Sequence, residues 1–244
     1  MTAFPAFVHS VIVEADARAW PVGGQGLNEC SFTSLANACN LLAGAPRYTK
    51  DEFIREAGAL FQPKLGGTLP PLKSIQLRRR GYGSHFGYLG NTDAERVLRS
   101  LVDRGVPTIV DIYRTQQLGS LSFYGQHATV LVGYSEPYAD ACGARHEEYY
   151  LVDAQWPSLG AFDIATNDYD YDGDGRVEIF PGNRNLERAA FMQLWSSRNY
   201  CPVFRSQPEH DAWYHATICH DPGAPLIGWL GQAALFGSDD RFIG

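Results

Sequence analysis

The chain is poor in charge, and positive charge is particularly scarce. Charged residues make up 19% of its 244 residues, below the roughly 25% typical of globular proteins, and the formal net charge is −7. A protein that holds nucleic acid needs a basic field for the phosphates. The one basic run, residues 78–80, is three arginines that we interpret as a solvated helix end. We therefore expect no nucleic-acid partner.

Long hydrophobic runs are also missing from the sequence. No segment approaches the roughly 18 apolar residues that a membrane helix needs. Residues 1–19 lack an early positive charge followed by an apolar stretch, which is the pattern of a secretory signal. We therefore expect no membrane partner and a cytoplasmic location. The sequence leaves the oligomeric state open.

The five cysteines are an odd number, which excludes a complete disulfide framework. Cys30 and Cys39 cannot pair if they lie on one helix, because nine residues rise by about 13.5 Å. We interpret Cys142, Cys201 and Cys219 as buried thiols. Cys30 needs another explanation.

Periodicity and capping signals divide the chain into helices followed by strands. Predicted helices lie at residues 30–42, 49–61, 74–80, 92–105 and 186–195. Predicted strands, rich in β-branched and aromatic residues, lie at 7–13, 106–113, 127–134, 148–153 and 200–205.

This order lacks the βαβ alternation of parallel sheets, so it predicts the α+β class with an antiparallel sheet. We expect a single domain over residues 1–244. It would comprise a helical half at about 20–105, a sheet half at about 106–205, and an irregular C-terminal extension at 206–244.

Cys30 is placed at the start of a predicted helix. The helix dipole and the unsatisfied backbone N–H groups there favour the thiolate form of a cysteine. Gln25, five residues upstream, offers an amide donor for an oxyanion hole, and Asn28 is the alternative donor. The position therefore indicates a nucleophilic cysteine.

A nucleophilic cysteine needs a base, and the base needs an orienting partner. His127 begins an apolar strand, so its ring can reach a cleft. Asp153 ends another strand and can accept from one imidazole nitrogen, while Trp156 can shield that bond from water. We predict the triad Cys30, His127 and Asp153. The histidines that could replace His127 are His9, His85 and His146.

Three segments resemble the papain-like cysteine peptidase superfamily, and most closely the bacterial C39-like peptidases. They are the stretch around Cys30, the segment 126–134 (Gln-His-Ala-Thr-Val-Leu-Val-Gly-Tyr) and the segment 149–156 (Tyr-Tyr-Leu-Val-Asp-Ala-Gln-Trp). The helix predicted at 186–195 is similar to one that often follows in such proteins. The resemblance covers about residues 20–200 and implies a papain-like fold.

The resemblance also implies a hydrolase that cleaves peptide or protein substrates through an acyl-enzyme and needs no cofactor for catalysis. An amidase or acyltransferase would use the same triad, and an inactive papain-like binding module is a third reading. The chain departs from the family pattern in three places. Gln25 lies one residue closer to the cysteine than usual, and Ser31 and Gln126 replace glycines.

A second candidate site is an acidic loop at residues 168–178. From Asp170 it reproduces the first half of a calcium loop, with acids at positions 1, 3, 5 and 9 and glycine at position 6. The glutamate of position 12 is missing, since Pro181 falls there. The alternative is an exposed acidic turn. The sequence predicts a structural calcium ion held by Asp170, Asp172, Asp174, the Arg176 carbonyl and Glu178.

A cluster near the C-terminus, His210, His215, Cys219 and His220, has ligand types that suit zinc. Its spacing fits no common zinc pattern, and neighbouring aromatic residues favour packing. We expect no zinc there.

Overall fold

The structure is a computed structural model that describes residues 4–13, 23–62, 67–68, 71–89, 93–112, 117–118, 121–122 and 127–218. The helices are Cys30–Ala43 (α1), Lys50–Ala57 (α2), Leu72–Arg79 (α3), Ala94–Asp103 (α4), Arg188–Leu194 (α5) and Gln207–Thr217 (α6). The strands are Val8–Ser10 (β1), Phe61–Gln62 (β2), Gly67–Thr68 (β3), Gly87–Tyr88 (β4), Thr108–Ile112 (β5), Gln117–Leu118 (β6), Leu121–Ser122 (β7), His127–Ser135 (β8), Tyr138–Ala139 (β9), Arg145–His146 (β10), Glu148–Val152 (β11), Arg184–Glu187 (β12) and Asn199–Pro202 (β13).

One seven-stranded antiparallel sheet organises the described residues. Its strands follow the order β12-β11-β8-β5-β13-β4, and β1 pairs with β8 outside that path. The remaining strands form three separate two-stranded ribbons. Helices and an antiparallel sheet together confirm the predicted α+β class. None of the described helices has the length and apolar character needed to cross a bilayer.

Helices pack on both faces of the sheet. Successive strand residues point to opposite faces, so Val130 and Val132 join one buried cluster while Leu131 joins the other. The first cluster contains residues of α1, α2 and α3, and the second contains residues of α4, α5 and α6. The sheet is therefore the middle layer. We expected the helices before residue 105 to form one half of the molecule. Instead, α4 packs on the opposite face of the sheet from α1, α2 and α3.

Helix α1 is nearly enclosed, which fixes its position against β8. Residues 32–40 are all buried, and the Ser34 hydroxyl donates to the Ala128 carbonyl at 2.9 Å. The loop before the helix is held by Glu29, whose carboxylate accepts from the Gly26 N–H at 2.7 Å and from Lys50 Nζ at 2.6 Å. These bonds hold Cys30 beside the first residues of β8.

The turn that leads into β12 requires glycine. Gly182 has φ +71°, and a Cβ atom there would lie 2.1 Å from the Leu151 carbonyl oxygen. This close approach lets β12 pair with β11 in a register that sets Arg184 opposite Leu151. Arg184 is thereby placed diagonally across from Asp153, within reach of a long side chain.

The structure corrects several predicted elements. The helix expected at 49–61 ends at Ala57, and residues 61–62 form β2. The helix expected at 186–195 begins at Arg188, because Leu186 extends along β12 and pairs with Tyr149. The extension expected to be irregular contains α6, whose first turn is capped by the Ser206 hydroxyl accepting from the Glu209 N–H. A serine three residues before a glutamate is a capping signal that could have revealed this helix.

Candidate active site

The antiparallel sheet brings two distant residues to one edge. His127 is the first residue of β8, and Asp153 follows the last residue of β11. Because β8 and β11 run in opposite directions, the start of one lies beside the end of the other. Cys30, the first residue of α1, reaches the same edge because α1 packs on β8. The structure thus brings together the three residues predicted as a triad.

The imidazole of His127 links the other two side chains. Its Nε2 lies 2.6 Å from Asp153 Oδ1, and its ring is hydrogen-bonded to the Cys30 thiol. Since Nε2 is engaged by Asp153, Nδ1 is the nitrogen left for the sulfur. His127 and Asp153 are buried, whereas Cys30 is partly exposed. Cys30 is therefore the most accessible member of this group, with His127 and Asp153 behind it.

Burial alone would raise the pKa of the Cys30 thiol. Its surroundings reverse this: the hydrogen bond and positive charge of His127, the Ala128 N–H and the charge of Lys73 bring the thiol pKa below its usual value. At two other cysteines burial outweighs the partners that lower the thiol pKa, which are the Tyr82 hydroxyl and the Arg80 charge at Cys39 and the Ser84 hydroxyl and the Lys73 charge at Cys201. Burial raises the pKa of Cys39 to about 12 and that of Cys201 to about 11. Cys30 is therefore the one of these three suited to exist as a thiolate.

His127 and Asp153 are tuned as an ion pair. Burial by itself would lower the pKa of His127, but hydrogen bonds and charges from Asp153 and Cys30 raise it to about 9. Burial would likewise raise the pKa of Asp153, but His127, the Gln155 N–H and Arg184 together lower it. The three shifts together favour the thiolate of Cys30, the imidazolium of His127 and the carboxylate of Asp153.

Arg184 is a member of the site that the sequence did not reveal. Its Nη1 donates to Asp153 Oδ2 at 2.7 Å, on the oxygen that His127 does not use. The guanidinium also lies over the Trp156 ring, with 4.5 Å from Cζ to the ring centroid. Trp156, which we expected to cover the His127–Asp153 pair, is 36% exposed and contacts Arg184, so its shielding of that pair stays a prediction.

We expect Arg184→Met to slow turnover by about tenfold, because Asp153 would lose one of its two charged partners and orient His127 less firmly. The structural readout is the pKa of the His127 imidazole, measured by NMR, which should change in the variant. Trp156→Phe is the matched control, since it keeps a ring under the guanidinium. Unchanged turnover and an unchanged His127 titration in Arg184→Met would contradict this role.

A buried ion pair between α3 and β5 was also missed by the sequence analysis. Lys73 Nζ, on α3, lies 2.6 Å from Asp111 Oδ1, with side-chain exposures of 2% and 6%. Asp111 pairs across the sheet with Ala128, the residue whose N–H bonds to Cys30. The pair joins α3 to the strand next to the nucleophile. No local sequence signal distinguishes Lys73 from a surface lysine.

The two candidate oxyanion donors occupy the loop before α1. Gln25 is buried, its backbone N–H donates to the Ala154 carbonyl at 3.3 Å, and its side-chain Oε1 accepts no hydrogen bond from the described residues. Asn28 adopts a left-handed backbone conformation with φ 59°. Gln25 is thus attached to the residue that follows Asp153. Its role as a donor to an oxyanion stays a prediction.

The three alternative histidines have other partners. His9 lies 3.2 Å from Asp103, and His146 lies between Asp140 and Glu187. His85 is buried, with its Nδ1 2.7 Å from His210 Nε2 and its Nε2 2.7 Å from the Tyr200 hydroxyl. His127 is the histidine that bonds to Cys30. Residue 126, with its departure from the family pattern, lies outside the described residues.

His210, considered above as a zinc ligand, belongs instead to the buried pair with His85 and also contacts Asp211 at 2.8 Å. His215 lies on α6 with its ring centroid 6.4 Å from that of Tyr214, and Cys219 and His220 lie outside the described residues.

In the acidic loop, the carboxylates of Asp170, Asp172 and Asp174 converge, with one oxygen from each within 4.8 Å of the others. Their side chains also accept hydrogen bonds from backbone N–H groups of the same loop. Asp174 Oδ1, for example, accepts from the Arg176 N–H. Glu178 is not part of this group, and its Oε2 accepts from the Tyr171 N–H at 3.3 Å. Oxygen donors of this kind suit a hard cation.

We expect calcium to raise the melting temperature of the protein by a few degrees relative to EGTA, because a cation would relieve the repulsion among the three carboxylates. Differential scanning calorimetry measures this, with magnesium as the control ion and Asp172→Asn as the control variant. An identical melting temperature in calcium and in EGTA would leave an exposed acidic turn.

Comparison with known proteins leaves the family of this chain unassigned. No protein-family model matches the sequence, and no curated protein matches it significantly. The papain-like resemblance therefore depends on the three sequence segments around Cys30, His127 and Asp153 alone.

Proposed function

We propose that the protein is a cysteine peptidase of papain-like type, with Cys30 as nucleophile, His127 as acid and base, and Asp153 as the residue that orients His127. The observation that carries the proposal is the continuous hydrogen-bonded series from the Cys30 thiol through His127 to Asp153. Three residues far apart in sequence meet at one partly open edge in the order that thiol chemistry requires.

In the first half-reaction, the Cys30 thiolate attacks the carbonyl carbon of a peptide bond and forms a tetrahedral oxyanion. The His127 imidazolium then donates its proton to the amine nitrogen as the C–N bond breaks, which leaves a thioester on Cys30. In the second, His127 accepts a proton from water as that water attacks the thioester. The carboxylic acid product leaves, and the proton remains shared between the imidazole and the thiol.

The pKa shifts give this reaction a defined pH range. Because the pKa of the Cys30 thiol is lowered, its thiolate forms at a lower pH than that of an ordinary cysteine. The acid form of His127 persists up to about pH 9, where the imidazolium loses its proton. We therefore expect the rate to rise on the acidic side as the thiolate forms, and to fall above about pH 9.

Two measurements test the proposal. The first is digestion of a peptide library followed by mass spectrometry, comparing the protein with His127→Ala. The second is the rate of alkylation by iodoacetamide at pH 6.5, residue by residue. Cys142, which we expected to be buried, is exposed and serves as the internal control for an accessible thiol outside the candidate site.

We expect cleaved peptides from the parent protein only, and faster alkylation of Cys30 than of Cys142. Fast alkylation of Cys30 without peptide cleavage would favour an amidase or acyltransferase with the same nucleophile. Slow alkylation of Cys30 without any cleavage would show that the chain is an inactive binding module.

A further inference from the structure

A cavity of about 460 Å³ lies at the opposite end of β11 from the candidate active site. Glu148, which lines it, is the first residue of β11, so it lies roughly 16 Å from the strand end that carries Asp153. The volume falls within the range of small-ligand sites. The residues that line the cavity belong to β9, β10, β11 and β12 and to the loops at 140–142 and 169–171.

Three tyrosines line the cavity, and neighbouring rings hold each in place. Tyr138 is stacked on Phe7 with 4.3 Å between centroids, and Tyr169 is stacked on Phe180 with 4.6 Å. Tyr171 stands at 89° to Tyr138 with 5.7 Å between centroids. These contacts fix the three rings as a corner of the cavity. The negative faces of aromatic rings attract cations.

Glu148 supplies a buried negative charge beside these rings. Its side chain is surrounded by neutral donors: Asn185 Nδ2 lies 2.6 Å from Oε1, and the hydroxyls of Tyr138, Tyr150 and Tyr169 lie 2.8–3.1 Å from Oε2. Among the described residues, no basic side chain forms an ion pair with Glu148. The carboxylate is hydrogen-bonded, but its charge is not neutralised by a protein cation.

The remaining charges at the cavity have the same sign. Asp140, Asp170 and Glu187 also line it, and the one basic side chain in the lining is His146. His146 bonds to Glu187 and Asp140, which raises the pKa of its imidazole. With His146 protonated, four carboxylates still face one imidazolium. The cavity is therefore electronegative in either protonation state.

The hydrogen bonds decide which kind of cation fits. Three donors serve the Glu148 carboxylate: Asn185 at Oε1, and at Oε2 the Tyr150 hydroxyl and one of the Tyr138 and Tyr169 hydroxyls, which lie 2.6 Å apart so that one donates to the other. An ammonium ion with N–H groups would leave water and find few free acceptors at Glu148, which is costly. A methylated ammonium ion has no N–H groups to satisfy and still gains from the charge and the rings. We propose that this cavity binds a trimethylammonium group.

The test is isothermal titration calorimetry on the full chain with three matched compounds. Choline carries the trimethylammonium group, 3,3-dimethylbutanol is its neutral isostere, and ethanolamine is the primary ammonium analogue. We expect saturable 1:1 binding of choline, at least about fivefold weaker binding of ethanolamine, and none of the neutral alcohol. The amide of N-acetyl-trimethyllysine distinguishes the source: tighter binding than choline would indicate a methylated lysine side chain, and weaker binding a free small molecule.

Variants measure the contributions of the Tyr171 ring and of the Glu148 charge to binding separately. Tyr171→Leu should weaken choline binding by about fivefold, while Tyr171→Phe should leave it unchanged because the ring is kept. Glu148→Gln should weaken it by about tenfold, and circular dichroism melts show whether each variant is folded. Absence of saturable choline binding by the parent protein would overturn the proposal. Equal affinity for the neutral isostere, or choline binding unaffected by Tyr171→Leu in a folded protein, would also overturn it.

Discussion

Cys30→Ala should lower kcat/KM by about 10⁴-fold or more, because covalent catalysis cannot proceed without the sulfur. The fold should survive, since Cys30 is partly exposed and lies at the first position of α1. The residual rate would come from substrate binding and from donors near the oxyanion. The measurement is steady-state hydrolysis of a peptide identified in the library digestion, with thermal melts to confirm folding.

Cys39→Ala is the matched control for that experiment. Cys39 lies on the same helix but is fully buried, and burial raises the pKa of its thiol to about 12. We expect this variant to lose some stability, because a small cavity opens in the core, and to keep nearly full activity. Turnover by Cys30→Ala at the parental rate would show that the nucleophile is elsewhere.

Lys73→Met should lower the free energy of unfolding by about 3–5 kcal/mol, because it leaves the Asp111 carboxylate buried without its cation. The methionine keeps most of the apolar stem, so the loss reports mainly on charge. Urea unfolding at pH 7 measures the effect. The matched control is Arg96→Met, whose partner Asp93 lies on the surface with both side chains more than half exposed. That change should cost no more than about 1 kcal/mol.

The double variant Lys73→Met with Asp111→Asn separates an unpaired charge from lost packing. If the unpaired carboxylate causes the destabilisation, the double variant should recover most of the lost stability. A double variant as unstable as Lys73→Met alone would show that packing around Lys73, and not the pairing of charges, holds α3 against β5. In that case the electrostatic account of this pair would be wrong.

Local patterns were sufficient to predict where β8 and β11 begin and, to within one residue, where they end, while the bounds of β1, β5 and β13 differ from the prediction by one to three residues. His127 opens β8 and Asp153 follows β11, as the alternation of apolar residues and the β-branched content indicate. Arg184 could not be found in this way, because its contact with Asp153 depends on how β12 pairs with β11. Leu186 was assigned to a helix for the same reason. Pairing partners are non-local information that a sequence window does not contain.

Lys73 illustrates a different limit. It lies on a short helix among polar residues, and a lysine in that setting is normally solvated. Its burial depends on Asp111, which lies 38 positions later in the chain and is itself buried in the middle of a strand. Considered alone, Lys73 resembles a surface lysine, and Asp111 is a charged residue in the middle of a buried strand, where a charge is unexpected. Only the pair explains both.

The chain separations within the candidate triad have a consequence for the order of folding. The bond between His127 and Asp153 joins residues 26 positions apart, and Cys30 lies 97 positions before its base. Contacts of such long range form late, since a large loop must close before they are gained. In an unfolded or partly folded chain, Cys30 has only the reactivity of an ordinary thiol. We therefore expect Cys30 to become more reactive than an ordinary thiol only after the sheet has formed, so the chain would not carry an activated thiol during synthesis.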